Sequence, residues 1–106
     1  MVISSKITKE IVNRVQHAVK PDRIILFGSA AKGQMTCDSD IDLLVLKKAI
    51  RRPLRECVPI YDALSGMGYP FDVVLMSTER FEESKNVVGG IAYPAHKYGK
   101  VLYAKI

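Results

Sequence analysis

Apolar residues recur through the first twenty positions at helical spacing, with Ile7, Ile11, Val12, Val15 and Val19 sharing one face. Ser5 or Thr8 supplies a cap and Pro21 enforces a stop, which predicts an amphipathic helix over about residues 8–19. The next run, Arg23-Ile24-Ile25-Leu26-Phe27, is apolar at successive positions, the pattern of a strand covered on both faces, and it ends at Gly28. Residues 28–39 are small and polar. Ile41 to Leu46 then predicts a second strand, in which Asp40 and Asp42 share a face because side chains alternate. Residues 47–70 are long enough for a crossover helix, with Pro53 in its first turn and Gly66 and Gly68 near its end. Phe71 to Met76 reads as a third strand. Ser77 or Thr78 caps a short helix through about Lys85, and Gly89-Gly90 interrupts the pattern. A helical piece over residues 91–98 contains Pro94, and Val101 to Ala104 gives a last short strand.

This order predicts an α/β (α+β) architecture, a small mixed β-sheet packed with helices. If the first two strands are antiparallel neighbours, the end of the first at Gly28 lies beside the start of the second at Asp40. A crossover makes the second and third strands parallel, which brings Asp72 to the same edge. Asp40, Asp42 and Asp72 would therefore converge beside a glycine-serine turn.

A chain of 106 residues makes one domain, spanning 1–106, and its 48% hydrophobic and 25% charged residues are those of a folded protein. No apolar stretch approaches the roughly 20 residues needed to span a bilayer, and the first twenty positions lack a signal-peptide core. The expectation is a soluble cytoplasmic protein with no membrane partner. Cys37 and Cys57 are too few for a disulfide framework, and neither lies in a paired-cysteine metal motif.

The net charge of +5 favours a polyanionic partner: a nucleoside triphosphate, nucleic acid or an acidic protein. Lys47, Lys48, Arg51, Arg52 and Arg55 concentrate part of that charge, but no aromatic residues interleave with them to stack on single-stranded bases. His17 and His96 have no second histidine at ligand spacing.

Carboxylates brought close together repel one another and raise each other's pKa unless a positive charge sits between them. A divalent cation is the simplest such partner, and hard oxygen ligands suit magnesium, which binds through one or two carboxylates plus substrate phosphates. Two such ions hold both the attacking and the leaving oxygen of an in-line displacement at phosphorus. A turn of Gly28 and Ser29 lets backbone N–H groups and a hydroxyl approach a triphosphate closely. The plainer alternative places Asp38 and Ser39 in a turn capped by Asp40, with Asp42 on a solvent-facing strand face. Leu44 and Leu46 follow Asp42 on that face and weigh against it. Other motifs fail on spacing. After Gly28-x4-Gly33 a phosphate loop requires Lys and Ser or Thr, where this chain has Gln34 and Met35. In Asp38-x-Asp40-x-Asp42 an EF-hand requires glycine and glutamate where Leu43 and Ala49 stand. A dinucleotide fingerprint requires a second glycine at Ala30.

Gly28-Ser29, ten intervening residues, Asp40-Ile41-Asp42 and a later Asp72 together resemble the DNA polymerase β-like nucleotidyltransferase superfamily. The resemblance runs from about Ile7 to Tyr103, and the superfamily's smallest free-standing members, the minimal nucleotidyltransferases, are of similar length. It implies the polymerase β-like nucleotidyltransferase fold and magnesium-dependent transfer of a nucleoside monophosphate, with release of pyrophosphate. On the matching positions, Asp40, Asp42 and Asp72 would hold two Mg2+ ions, with Asp72 also helping to activate the acceptor hydroxyl. Gly28 and Ser29 would hold the triphosphate. Lys32 stands where relatives often carry arginine and would neutralise phosphate charge. Family members of this size resemble the antitoxin of a toxin–antitoxin pair whose toxin is a HEPN-type ribonuclease. The implied reaction is transfer of AMP from ATP to a toxin tyrosine. The alternatives are a non-catalytic antitoxin that occludes its toxin and a nucleic-acid-directed nucleotidyltransferase, with a homodimer or hetero-oligomer as the assembly.

Overall fold

A computed structural model describes residues 4–33 and 39–105. Its first helix, α1 (Ser5–Val19), starts a few residues before the expected 8–19, because Ser4 is the cap: its Oγ accepts from the Ile7 N–H at 3.3 Å. Thr8 instead donates its hydroxyl to the Ser5 carbonyl. At the other end Lys20, in the left-handed conformation, closes the helix through its N–H to the Gln16 carbonyl.

Four strands form a mixed sheet: β1 (Arg23–Phe27), β2 (Ile41–Lys47), β3 (Phe71–Ser77) and β4 (Lys100–Ala104), in the order β3-β2-β1-β4. The expected pairings are found, β1 with β2 antiparallel and β2 with β3 parallel. The final strand begins one residue before the predicted VLYA and pairs antiparallel with β1, with an irregularity between Ile24 and Ile25.

Helices cover both faces of the sheet, which is why β1 and β2 are apolar at successive positions. On one face Leu26, Leu43 and Val45 pack with Ile11 and Val15 of α1 and with Ile60, all nearly inaccessible to solvent. On the other, Ile25, Leu44 and Leu46 pack with Phe81, Ala92 and Ala95. Burial of each large aliphatic side chain contributes about 1.5–3 kcal/mol. The β-branched Ile7, Ile11, Val12 and Val15 have modest helix propensity, so tertiary burial is what holds α1 in place.

The single crossover helix expected over 47–70 is instead two short ones, α3 (Pro53–Glu56) and α4 (Val58–Leu64). Pro59 has no N–H to give to the Arg55 carbonyl, so the ladder breaks and restarts with Ile60 and Tyr61 both bonding the Cys57 carbonyl at 3.0 Å. Glu56 fastens the start of α3, accepting from the Arg51 and Arg52 N–H groups at 2.9 and 2.7 Å. Arg14 joins α1 to the end of α4 by donating to the Ala63 and Ser65 carbonyls at 2.9 and 3.1 Å.

After β3 comes α5 (Thr78–Ser84), capped by Ser77 Oγ on the Arg80 N–H. The glycines at 89 and 90 separate it from α6 (Ala92–Tyr98). Pro94 is accommodated in the first turn of α6, where backbone N–H groups have no intrahelical acceptor. Among the described residues no helix is long and apolar enough to cross a membrane.

Candidate functional site

At one end of the sheet β1 finishes while β2 and β3 begin. Phe27 pairs with Asp42 across β1–β2, and Asp42 pairs with Asp72 across β2–β3. Since residues in register on neighbouring strands project to the same face, the two aspartates stand side by side at the end of the α5–α6 face.

The chain then turns directly beneath Asp42. Gly28 has φ +71°, a conformation that L side chains rarely adopt, and a Cβ there would run into Oδ2 of Asp42 and lie 3.2 Å from its Cγ. Only glycine meets both requirements. The glycine-serine turn expected here winds into one helical turn, α2 (Gly28–Ala31), anchored by the buried Ala30. Ser29 is half-buried within it.

Asp40 precedes β2 and is exposed, as is Asp72, whereas Asp42 is half-buried. Burial pushes the Asp42 carboxyl above its ordinary pKa of 3.8, and the negative charges of Asp72 and then Asp40 push it further. Among the described residues none of these three carboxylates forms an ion pair. The structure thus brings Asp40, Asp42, Asp72, Gly28 and Ser29 to one edge. Asp38 and Cys37 lie outside the described residues.

Among the described residues no three acid, thiol or imidazole side chains are gathered closely enough to form a ready-made metal cage. An uncompensated group of hard oxygen donors still fits magnesium, whose sites are ordinarily completed by waters and substrate phosphates. Lys32, at the end of α2, is exposed, and its Nζ lies 5.5 Å from the centre of the Tyr98 ring. That association was not foreseen, because it depends on how α6 packs against α2.

Tyr61 was also missed. Its Oη accepts from the Val73 N–H at 2.8 Å and lies 3.5 Å from the Val73 carbonyl, so a side chain from α4 stands in for a neighbouring strand along the open edge of β3. It holds the backbone one residue after Asp72. The sequence carries no local signal for this long-range bond. Cys57 is buried near the same edge, where burial pushes its thiol pKa up.

The basic cluster lies elsewhere. Lys47 ends β2 and pairs with Glu56 at 3.6 Å, and exposed Lys48, Arg51, Arg52 and Arg55 follow. At about 3.4 Å per residue, a strand rising from Asp42 to Lys47 separates the cluster from the carboxylates by about 17 Å.

Residues 9–105 match the family described as Polymerase beta, Nucleotidyltransferase. No curated protein matches the chain. Among solved structures, a toxin–antitoxin crystallised with AMP-PNP is similar, with TM-score 0.68 and 22% identity over 92% of this chain and 73% of that one. An inferred nucleotidyltransferase from Sulfolobus solfataricus gives TM-score 0.64 and 20% identity over 94% and 79% of the two chains. A mutant of the toxin–antitoxin MntA-HpeT gives TM-score 0.63 and 21% identity over 92% and 73%. With nearly its whole length matched and the same fold in these neighbours, the chain belongs to the polymerase beta nucleotidyltransferase family.

Proposed function

We propose that this chain transfers AMP from ATP to a hydroxyl of a partner protein, a tyrosine of a HEPN-type ribonuclease toxin, and so acts as the cytoplasmic antitoxin of the pair. The observation that carries the reading is the register pairing of Asp42 with Asp72, directly over the close approach of Gly28. The likeness to a toxin–antitoxin crystallised with AMP-PNP supports both the donor and the kind of partner.

In this reading Asp40, Asp42 and Asp72 would hold two magnesium ions. Bound magnesium supplies charge neutralisation at phosphorus. The Gly28 backbone and the Ser29 hydroxyl hold the triphosphate, and Lys32 neutralises part of its charge. The acceptor oxygen bonds to the α-phosphorus, the bond from that phosphorus to the bridging oxygen breaks, and pyrophosphate leaves. Asp72, exposed beside Asp42, helps draw off the hydroxyl proton. The position of the basic cluster past the far end of β2 weighs against a nucleic-acid acceptor.

The test is label transfer from α-phosphate-labelled ATP, with magnesium, to the protein encoded beside this one, comparing wild type with Asp72→Asn. Label on the partner with wild type alone supports the reading. A stable complex without label from any nucleoside triphosphate overturns it in favour of an occluding binder, and label on RNA or DNA redirects it to a nucleic-acid acceptor.

A further inference from the structure

One tyrosine ring gathers two lysines from different elements. Nζ of Lys32, at the end of α2, and Nζ of Lys97, on α6, each lie 5.5 Å from the centre of the Tyr98 ring. Lys97 lies equally close to the Tyr93 ring and donates to Tyr93 Oη at 3.1 Å. Both lysines are exposed, and Tyr98 itself is 54% exposed. Attraction to the ring face explains why either ammonium rests there. For Lys97 the hydrogen bond to Tyr93 adds to it; two like charges nevertheless meet at one ring, and among the described residues neither pairs with a carboxylate. A shared anion would convert that repulsion into attraction.

The location narrows the anion. Lys100, the first residue of β4, pairs with Leu26, two residues before Gly28. Gly99 packs so tightly that a Cβ would run into the Ala95 carbonyl and lie 3.0 Å from the Leu26 carbonyl, which pins the end of α6 to the end of β1. The carboxylates lie on the other side of β1, on β2 and β3. The Gly28–Ser29 turn thus has negative charge on one flank and positive charge on the other. A nucleoside triphosphate laid across it would turn its α-phosphate toward the aspartates and its far phosphates toward the lysines.

We infer that Lys97, together with Lys32, binds the β- and γ-phosphates of the donor, the end that leaves as pyrophosphate, and that Tyr98 and Tyr93 are positioning residues for the two ammoniums. This rests on the nucleotidyl-transfer reading and adds a second element, α6, to the donor site. Charge that accumulates on the departing pyrophosphate is met by ammoniums already in place. The hydrogen bond to Tyr93 pushes the Lys97 pKa up.

The test measures binding of AMP, ATP and inorganic pyrophosphate, each with magnesium, by calorimetry and thermal melting. Lys97→Ala is expected to weaken ATP binding about tenfold, to leave AMP binding unchanged and to abolish the melting shift produced by pyrophosphate. Lys97→Arg restores most of the affinity. Tyr98→Phe, which keeps the ring, behaves as wild type, whereas Tyr98→Leu behaves as Lys97→Ala. Equal losses for AMP and ATP, or an unchanged response to ATP and pyrophosphate, overturn the inference while leaving the transfer reading intact. A Lys97-dependent pyrophosphate site in a protein that binds no nucleotide overturns the transfer reading instead.

Discussion

Asp42 and Asp72 occupy the same register position on adjacent parallel strands, and Gly28 passes so close to Asp42 that a side chain there would collide with its carboxylate. The carboxylate is squeezed between a like charge and a backbone, without a neutralising ion pair among the described residues. Such an arrangement costs stability at neutral pH.

That cost is measurable. The Asp42 pKa is raised in the folded protein, by burial first and then by Asp72 and Asp40. A raised carboxyl pKa favours the folded state below the ordinary value of 3.8, and this contribution is lost as pH rises through the folded value. Asp42→Asn is therefore expected to melt a few degrees above wild type at pH 7, with the gap closing as pH falls toward 3.8. Thermal melts across that range, without divalent metal, check the sign. A variant less stable than wild type at pH 7 would sink this account of the site.

Gly28→Ala is expected to destabilise through two separable effects. The positive φ alone costs about 1–2 kcal/mol for a non-glycine residue, and the collision with Asp42 Oδ2 adds to it. In an Asp42→Ala background the collision is gone, so the same substitution should cost only the conformational part. A double-mutant cycle by urea denaturation measures the difference, and strict additivity would refute the close approach.

Glu56 predicts the opposite pH trend. Its carboxylate accepts from the Arg52 and Arg51 N–H groups, which hold its pKa below the ordinary 4.5. A depressed carboxyl pKa stabilises above the unfolded value, and the contribution is lost as pH falls through the folded value. Glu56→Ala should lower the melting temperature at pH 7 and converge on wild type below pH 4.5 as the carboxylate is protonated. Melting curves of the two proteins over pH 3 to 7 decide it.

Tyr61→Phe removes the oxygen that receives the Val73 N–H beside Asp72. Loss of one partly exposed hydrogen bond should cost about 0.5–1.5 kcal/mol. Amide exchange should also accelerate at Val73 more than at the interior strand positions of β1. Unchanged protection at Val73 would show that the tyrosine does not secure the edge.

Much of this molecule is legible along the chain because the signals are local. Runs of aliphatic residues mark β1, β2 and β3, and the pairing of β2 with β3 follows from the length of the crossover. Asp42 and Asp72 each stand at the start of a strand, so two strands laid parallel in register must bring them together. Where the sequence misleads, the deciding physics is also identifiable. Pro59 cuts one expected helix into α3 and α4 because its ring nitrogen cannot donate to Arg55. Ser4 rather than Ser5 or Thr8 caps α1, and the earlier start brings Ile7, packed against the core, into the helix.

Tertiary packing alone decided the remainder. The bond from Tyr61 to Val73 and the convergence of Lys32 and Lys97 on Tyr98 each join residues far apart in the chain or on separate elements. No periodicity or motif encodes such contacts, because they depend on the angle and depth at which helices settle on the sheet. By itself the sequence determined which residues could carry charge, turn sharply or pair in strands. The packed structure decided how deeply each of those charges is buried and which side chains of separate helices meet it, because burial and electrostatic coupling act through space rather than along the chain.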